Sequence, residues 1–109
     1  MKTLNYEQLY SMRRNQDNYV LIDVRPFDVY EERHITDSDN IPLSEEDFEE
    51  LVERRVVSKD SKVVVYCGSF ECPLSKQAAE RLEKAGFTNV YDYEGGLKDW
   101  TTHQKQEAA

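Results

Sequence analysis

Two cysteines, Cys67 and Cys72, are the residues of this 109-residue chain best suited to covalent chemistry. Cys67 ends the apolar run Val63-Val-Val-Tyr-Cys67, which is typical of a strand buried on both faces, and a loop and a helix follow it. Loop amides and the positive end of that helix would favour the thiolate and lower the pKa of Cys67. This setting predicts a nucleophile that holds sulfur as a persulfide. The alternative is an inert core cysteine.

The elements around Cys67 predict an α/β domain. Apolar runs of strand length alternate with amphipathic helical patterns, which indicates a mostly parallel sheet with helices on both faces. Ligands in such folds bind beyond the carboxyl ends of the strands, where Cys67 lies. Asn5 with Gln8, and Ser44 with Asp47, are predicted capping boxes. The predicted strands are 19–24, 40–42, 63–67 and 90–93, and the predicted helices are 5–12, 28–33, 44–55, a helix ending near 85 and a short one after Gly96.

Motifs in chain order resemble those of the rhodanese-like family. They are Leu21-Ile-Asp-Val-Arg-Pro26, then His34-Ile35 with Asn40-Ile-Pro42, then Val63–Cys67, then Glu94-Gly-Gly-Leu97 with Trp100. The resemblance implies a three-layer α/β/α domain with a five-stranded, mostly parallel sheet over residues 1–103. It also implies a sulfurtransferase that carries sulfur on Cys67, passes it to a thiol or to cyanide and needs no cofactor. The remaining segment, 104–109, has no apolar pattern and is expected to be a frayed tail.

The predicted active-site loop departs from the form common in that family. It is longer, it contains no Lys or Arg, and it contains Glu71. The expected donors are thiosulfate, polysulfide or a persulfidated protein. A dianion such as thiosulfate gains from a guanidinium and loses near a carboxylate, so polysulfide or a persulfidated protein is expected to be the better donor. The loop residues after Cys67 are Gly68, Ser69, Phe70, Glu71, Cys72, Pro73, Leu74 and Ser75.

Four neighbouring residues have two interpretations each. Cys72 is a resolving thiol or second sulfur carrier, or else a structural residue. Phe70 forms an apolar rim of the pocket, or it folds back onto the domain. Asp23 and Arg25 line the pocket, or they are structural; in the second case Arg25 belongs to a buried ion pair, with Asp28 as a candidate partner, that fixes the following turn.

Two other functions are alternatives to sulfur transfer. A phosphatase or arsenate reductase would need an arginine to clamp the oxyanion, and the chain has none between Cys67 and Arg81. A non-catalytic or redox-sensing interaction module is the third hypothesis, and the retained cysteine argues against its non-catalytic form.

Composition excludes several classes of partner and site. The formal net charge of −8 disfavours nucleic acids and acidic membrane surfaces. The cysteine spacing does not match a zinc site, and we expect no metal. Met1–Asn5 has no apolar signal core, so we expect cytoplasmic residence. The sequence does not predict an oligomeric state.

Overall fold

Ten elements make up the described part of the chain, residues 1–108 of the computed structural model. The strands are β1 (Lys2–Leu4), β2 (Val20–Asp23), β3 (Asp39–Asn40), β4 (Val63–Tyr66) and β5 (Val90–Tyr93). The helices are α1 (Tyr6–Arg14), α2 (Phe27–Glu32), α3 (Phe48–Glu53), α4 (Leu74–Lys84) and α5 (Gly96–Ala108). The strands form one sheet in the order β1-β5-β4-β2-β3, and every pairing is parallel. The predicted five-stranded α/β fold is therefore confirmed, with β4 at the centre of the sheet.

The sheet separates two apolar cores because successive side chains of a strand point to opposite faces. Val63, Val65 and Cys67 belong to the core that α3 and α4 cover. Val64 and Tyr66 belong to the core that α1 and α5 cover. All five are fully buried, which explains the unbroken apolar run in the sequence. The alternation also directs the Cys67 side chain toward α4.

The ends of two helices follow the sequence signals. Asn5 Oδ1 accepts a 2.9 Å hydrogen bond from the Gln8 amide, and Gln8 Oε1 accepts a 2.8 Å bond from the Asn5 amide, so the first capping box is confirmed. After α4, Gly86 has a φ of +99°, which only glycine adopts readily. These residues determine where α1 begins and where α4 ends.

Three boundaries differ from the sequence-based expectation. Two turns, Pro42–Glu45 and Glu45–Phe48, precede helix α3, which therefore begins at Phe48 and has no side-chain cap. The predicted capping box of Ser44 and Asp47 is wrong. The edge strand β1, three residues long, had no apolar run to indicate it. The third difference is at the C-terminus.

Helix α5 continues through Ala108, where a frayed tail had been expected from residue 104. Gln104 donates a 2.8 Å hydrogen bond to the Tyr6 hydroxyl, which donates a 2.9 Å bond to Glu107, so contacts with α1 hold the last turns. Ala109 lies outside the described residues. No helix in the described part of the chain, α5 included, is long and apolar enough to cross a membrane.

Candidate active site

Cys67 follows β4 directly, at the carboxyl edge of the sheet. Strand β4 lies between β5 and β2 in the sheet. Its side chain is 0% exposed. Its Sγ donates a 3.4 Å hydrogen bond to the carbonyl oxygen of Cys72 and lies 3.5 Å from Ser75 Oγ. The cysteine is therefore at the predicted position, but its own loop covers it.

The loop after Cys67 forms a turn in which the Cys72 amide donates a 3.1 Å hydrogen bond to the Ser69 carbonyl. Phe70 is 68% exposed, so the interpretation that it folds back onto the domain is wrong. It borders a cleft of about 260 Å³ between the starts of α1 and α5. Of the other predicted loop residues, Gly68, Ser69, Cys72 and Leu74 are half-buried, Glu71 and Pro73 are exposed, and Ser75 is buried in the first turn of α4.

The expected depression of the Cys67 pKa is contradicted. Burial raises the pKa of the Cys67 thiol, and its interaction with the Cys72 thiol raises the pKa further. The Ser75 hydroxyl and the Ser75 backbone amide oppose these effects without cancelling them. The main physical reason is burial, which removes the water that would stabilise a thiolate; the Cys72 carbonyl, which accepts a hydrogen bond from the thiol, also favours the neutral form. This arrangement of the loop thus favours the thiol over the thiolate.

Helix α5 anchors the start of the loop. The Leu97 amide donates a 2.9 Å hydrogen bond to the Cys67 carbonyl, and the Lys98 amide donates a 2.9 Å bond to the Gly68 carbonyl. Gly96 has a φ of +64°, and a Cβ there would collide with the Cys67 carbonyl oxygen. In the sequence this glycine is visible only as part of the Glu94-Gly-Gly-Leu97 motif, whereas in the structure its lack of a side chain lets α5 approach the site.

Asp23 and Arg25 form an ion pair with each other. Arg25 Nε lies 3.0 Å from Asp23 Oδ1, and its NH2 group lies 2.8 Å from Oδ2. The predicted partner Asp28 is therefore wrong. Asn40 donates hydrogen bonds to the carbonyls of both residues, at 3.0 and 2.8 Å, which fixes the turn after β2. Because Asp23 neutralises it, the guanidinium is not a free cation for the site.

Two residues that sequence reasoning missed lie near the loop. A hydrogen bond with Ser69 lowers the pKa of Glu71, and the charge of Lys98 lowers it further, so a cation from α5 faces the loop. On β5, burial raises the pKa of Asp92, and the Ser75 hydroxyl, which stabilises the charged carboxylate, opposes that shift. Neither was visible as a sequence motif, because both belong to segments distant from the loop in the chain.

The position of Arg81 does not support a phosphatase or arsenate reductase. Its Nε and NH2 groups bind Glu49 at 2.9 and 2.6 Å, and its NH1 group binds the Leu43 carbonyl at 3.0 Å. The guanidinium is therefore committed to the α3 side of the domain. Within residues 1–108, no group of three or more His, Cys, Asp or Glu side chains is placed to hold a metal ion.

Known proteins match this chain along most of its length. The sequence matches the Rhodanese-like domain family over residues 5–103. Thiosulfate sulfurtransferase GlpE of Coxiella burnetii is 31% identical over 102 residues, which cover 94% of this chain and 89% of that protein. Thiosulfate sulfurtransferase PspE of Escherichia coli is 40% identical over 78 residues, which cover 72% of this chain and 70% of that protein. A crystal structure of thiosulfate sulfurtransferase from Pseudomonas aeruginosa superposes with a TM-score of 0.82 at 26% identity, over 94% of this chain but 19% of that longer chain.

Proposed function

This chain belongs to the rhodanese-like domain family, and we propose that it is a sulfurtransferase which carries sulfur as a persulfide on Cys67. The observation that carries the proposal is the position of Cys67, at the carboxyl end of the central strand and before the first turn of α4. Relatives that match most of the chain are named thiosulfate sulfurtransferases, which supports this class of reaction.

The reaction needs only a thiolate and two substrates. The Cys67 thiol first gives its proton to solvent. The thiolate then attacks the outer sulfur of the donor; with thiosulfate, a new S–S bond forms, the bond between the two donor sulfurs breaks, and sulfite leaves with the electron pair. Cyanide then attacks the outer sulfur and leaves as thiocyanate, or a thiol accepts that sulfur as a persulfide. The Cys67 thiolate is regenerated in either case.

The covered sulfur implies that the loop moves during turnover. Because Cys67 is 0% exposed, a donor reaches Sγ only when the segment from Gly68 to Pro73 shifts and the bond to the Cys72 carbonyl breaks. That shift would also remove the carbonyl that favours the neutral thiol. Donor binding and ionisation of Cys67 are therefore coupled in this proposal.

The donor in our proposal is polysulfide or a persulfidated protein, with thiosulfate used less well. Glu71 is exposed on the loop, and Arg25 is neutralised by Asp23. Lys98 offsets the charge of Glu71, which leaves the loop with no surplus positive charge for a small dianion. The acceptor in our proposal is a thiol or cyanide.

A redox-sensing role is the second candidate, and the proximity of Cys72 favours it. The thiols of Cys67 and Cys72 interact, since the Cys72 side chain raises the pKa of Cys67. Peroxide would convert one thiol to a sulfenic acid with release of water, and the second thiol would displace a further water to form the disulfide. In this role Cys72 resolves the oxidised Cys67.

Intact-mass measurement tests the proposed reaction. Incubation with polysulfide or thiosulfate should add about 32 Da, the mass of one sulfur atom, and cyanide should remove it. Cys67→Ser should take up no sulfur, while Cys72→Ser serves as the matched control and should take it up. Sulfur transfer that persists in Cys67→Ser would refute the assignment.

A further inference from the structure

Asp92 is a buried carboxyl group on the same side of the sheet as Cys67. It pairs in register with Val65 of β4, whose side chain belongs to the core that contains Cys67. Asp92 is 2% exposed, and its Oδ1 has no hydrogen-bond partner within residues 1–108. A charged carboxylate so placed is costly, whereas a neutral carboxylic acid is tolerated much better. This group therefore needs an explanation that apolar packing does not supply.

Ser75 is a neighbour that Cys67 and Asp92 share. Its Oγ lies 3.5 Å from Cys67 Sγ. The same hydroxyl stabilises the charged forms of both Cys67 and Asp92. A hydroxyl has one proton to donate, so it cannot serve both anions at once. The thiolate and the carboxylate therefore compete for the Ser75 proton.

We propose that Asp92 is a positioning residue, whose protonation state determines whether the Ser75 hydroxyl donates to the Cys67 sulfur. When Asp92 is protonated, it donates to Ser75 Oγ, and Ser75 donates its own proton to the thiolate or to the persulfide. When Asp92 is ionised, it takes the Ser75 proton, and the sulfur loses that donor. The significance for persulfide chemistry depends on the function proposed above, whereas the effect on the thiol does not.

The charges around Asp92 keep its neutral form available over a wider pH range. Burial raises the pKa of Asp92, the Ser75 hydroxyl opposes this, the charge of Glu94 raises the pKa further and the charge of Lys76 lowers it. Glu94 and Lys76 are exposed, so solvent screens both. Cys67 titrates as well, and Ser75 links it to Asp92. Sulfur chemistry at this site is thus expected to respond to the ionisation of a carboxyl group as well as to that of the thiol.

Alkylation of Cys67 by iodoacetamide as a function of pH tests the proposal. The measurement uses the full chain with Cys72→Ser, so that one thiol reacts, and it needs no sulfur donor. In this background the logarithm of the rate should rise with pH but flatten into a shoulder where Asp92 ionises. Asp92→Asn introduces an amide that donates to Ser75 at every pH. This variant should show no shoulder. At pH values above that of the shoulder, it should be alkylated about three- to tenfold faster, which is the scale of one hydrogen bond.

Two further variants separate the route through Ser75 from simple charge repulsion. In a Ser75→Ala background, Asp92→Asn should lose most of its effect on the rate, which a double-mutant cycle quantifies. Glu94→Gln removes a carboxylate that does not touch Ser75, and it should keep the shoulder. Thermal unfolding should show that each variant is folded at the pH values used. A background profile without a shoulder, or an unchanged Asp92→Asn effect after Ser75→Ala, would overturn the proposal.

The mass experiment and the alkylation profile test the proposed function and the role of Asp92 separately. If the chain takes up no sulfur in the mass experiment while the shoulder is present, the sulfurtransferase assignment fails and the role of Asp92 stands. If sulfur uptake occurs without the shoulder, the assignment stands and the role of Asp92 fails.

Discussion

The backbone amide of Leu97 donates a 2.9 Å hydrogen bond to the carbonyl oxygen of Cys67, so the first turn of α5 holds the candidate nucleophile in place. The next amide, that of Lys98, binds the Gly68 carbonyl in the same way. Amides at a helix start lack partners within the helix, and here the active-site loop provides their acceptors. The position of Cys67 therefore depends on a helix that is distant in the sequence.

Gly96→Ala should destabilise the domain. Its φ of +64° disfavours a side chain, and the new Cβ would collide with the Cys67 carbonyl. We expect a loss of about 1–3 kcal/mol in the free energy of unfolding, measured by urea denaturation. Gly68→Ala is the matched control, because a Cβ at that position meets nothing within 4 Å. It should change the free energy of unfolding by less than about 0.5 kcal/mol, and equal losses in the two variants would contradict the argument.

Cys72 should react with iodoacetamide before Cys67 at neutral pH, the reverse of the order that the sequence predicts. Cys67 is fully buried and burial raises its pKa, whereas Cys72 is half-buried. A raised pKa leaves less thiolate at neutral pH, and that fraction grows as pH rises, so labelling of Cys67 should accelerate into the alkaline range. Peptide mass mapping over a pH series measures both rates. Preferential labelling of Cys67 at neutral pH would show that the loop is open in solution.

Glu71→Arg should improve the use of thiosulfate. Replacing the exposed carboxylate on the loop by a guanidinium adds a charge-assisted hydrogen bond, so kcat/KM for thiosulfate should rise by roughly 5- to 30-fold, equivalent to about 1–2 kcal/mol. Glu71→Gln removes the charge without adding a donor fork, and it should give a smaller gain. Steady-state assays of both variants, with thiosulfate and with polysulfide, separate the effect of removing the carboxylate from the effect of adding the guanidinium. If wild type already prefers thiosulfate, or if Glu71→Arg has no effect, the electrostatic account of donor choice is incorrect.

Cys72→Ser should retain persulfide formation on Cys67 but lose reversible protection against oxidation. In wild type, peroxide should produce a mass loss of about 2 Da that a reductant reverses, the signature of a disulfide. In Cys72→Ser, the same treatment should produce sulfinic or sulfonic acid on Cys67, because no resolving thiol is present. Intact mass with and without reductant measures both outcomes. Equal rates of irreversible oxidation in the two proteins would assign Cys72 a structural role.

Local patterns predicted most of the architecture because they report local physics. The apolar runs marked β2, β4 and β5, and Asn5 with Gln8 marked the start of α1. Strand β1 and the end of α5 were missed, because both depend on partners elsewhere in the chain. β1 is an edge strand that pairs with β5, and the last turns of α5 are held by Tyr6.

The position of the candidate nucleophile was predictable, whereas its electrostatic state was not. A cysteine at the end of a buried strand is visible in the sequence, and the structure places Cys67 there. The expected depression of its pKa assumed that loop amides face the sulfur. In the structure the Ser75 amide does act on the sulfur, but burial and the Cys72 carbonyl outweigh it. Which polar group of a loop points inward depends on the loop backbone, and the spacing of two cysteines does not specify that.

The sequence by itself determined the fold class, the strand that delivers Cys67 and the family to which the chain belongs, because periodicity and motifs are properties of neighbouring residues. Only the tertiary structure decided that Asp23 neutralises Arg25, that Lys98 faces Glu71, and that the Ser75 hydroxyl acts on both Cys67 and Asp92. The contacts of Lys98 and of Asp92 join segments that lie far apart in the chain, and the Asp23–Arg25 pair, although local, lies in a turn that the distant Asn40 fixes. Charge interactions and desolvation depend on distances and burial in three dimensions, and those exist only once the strands have paired and the helices have packed.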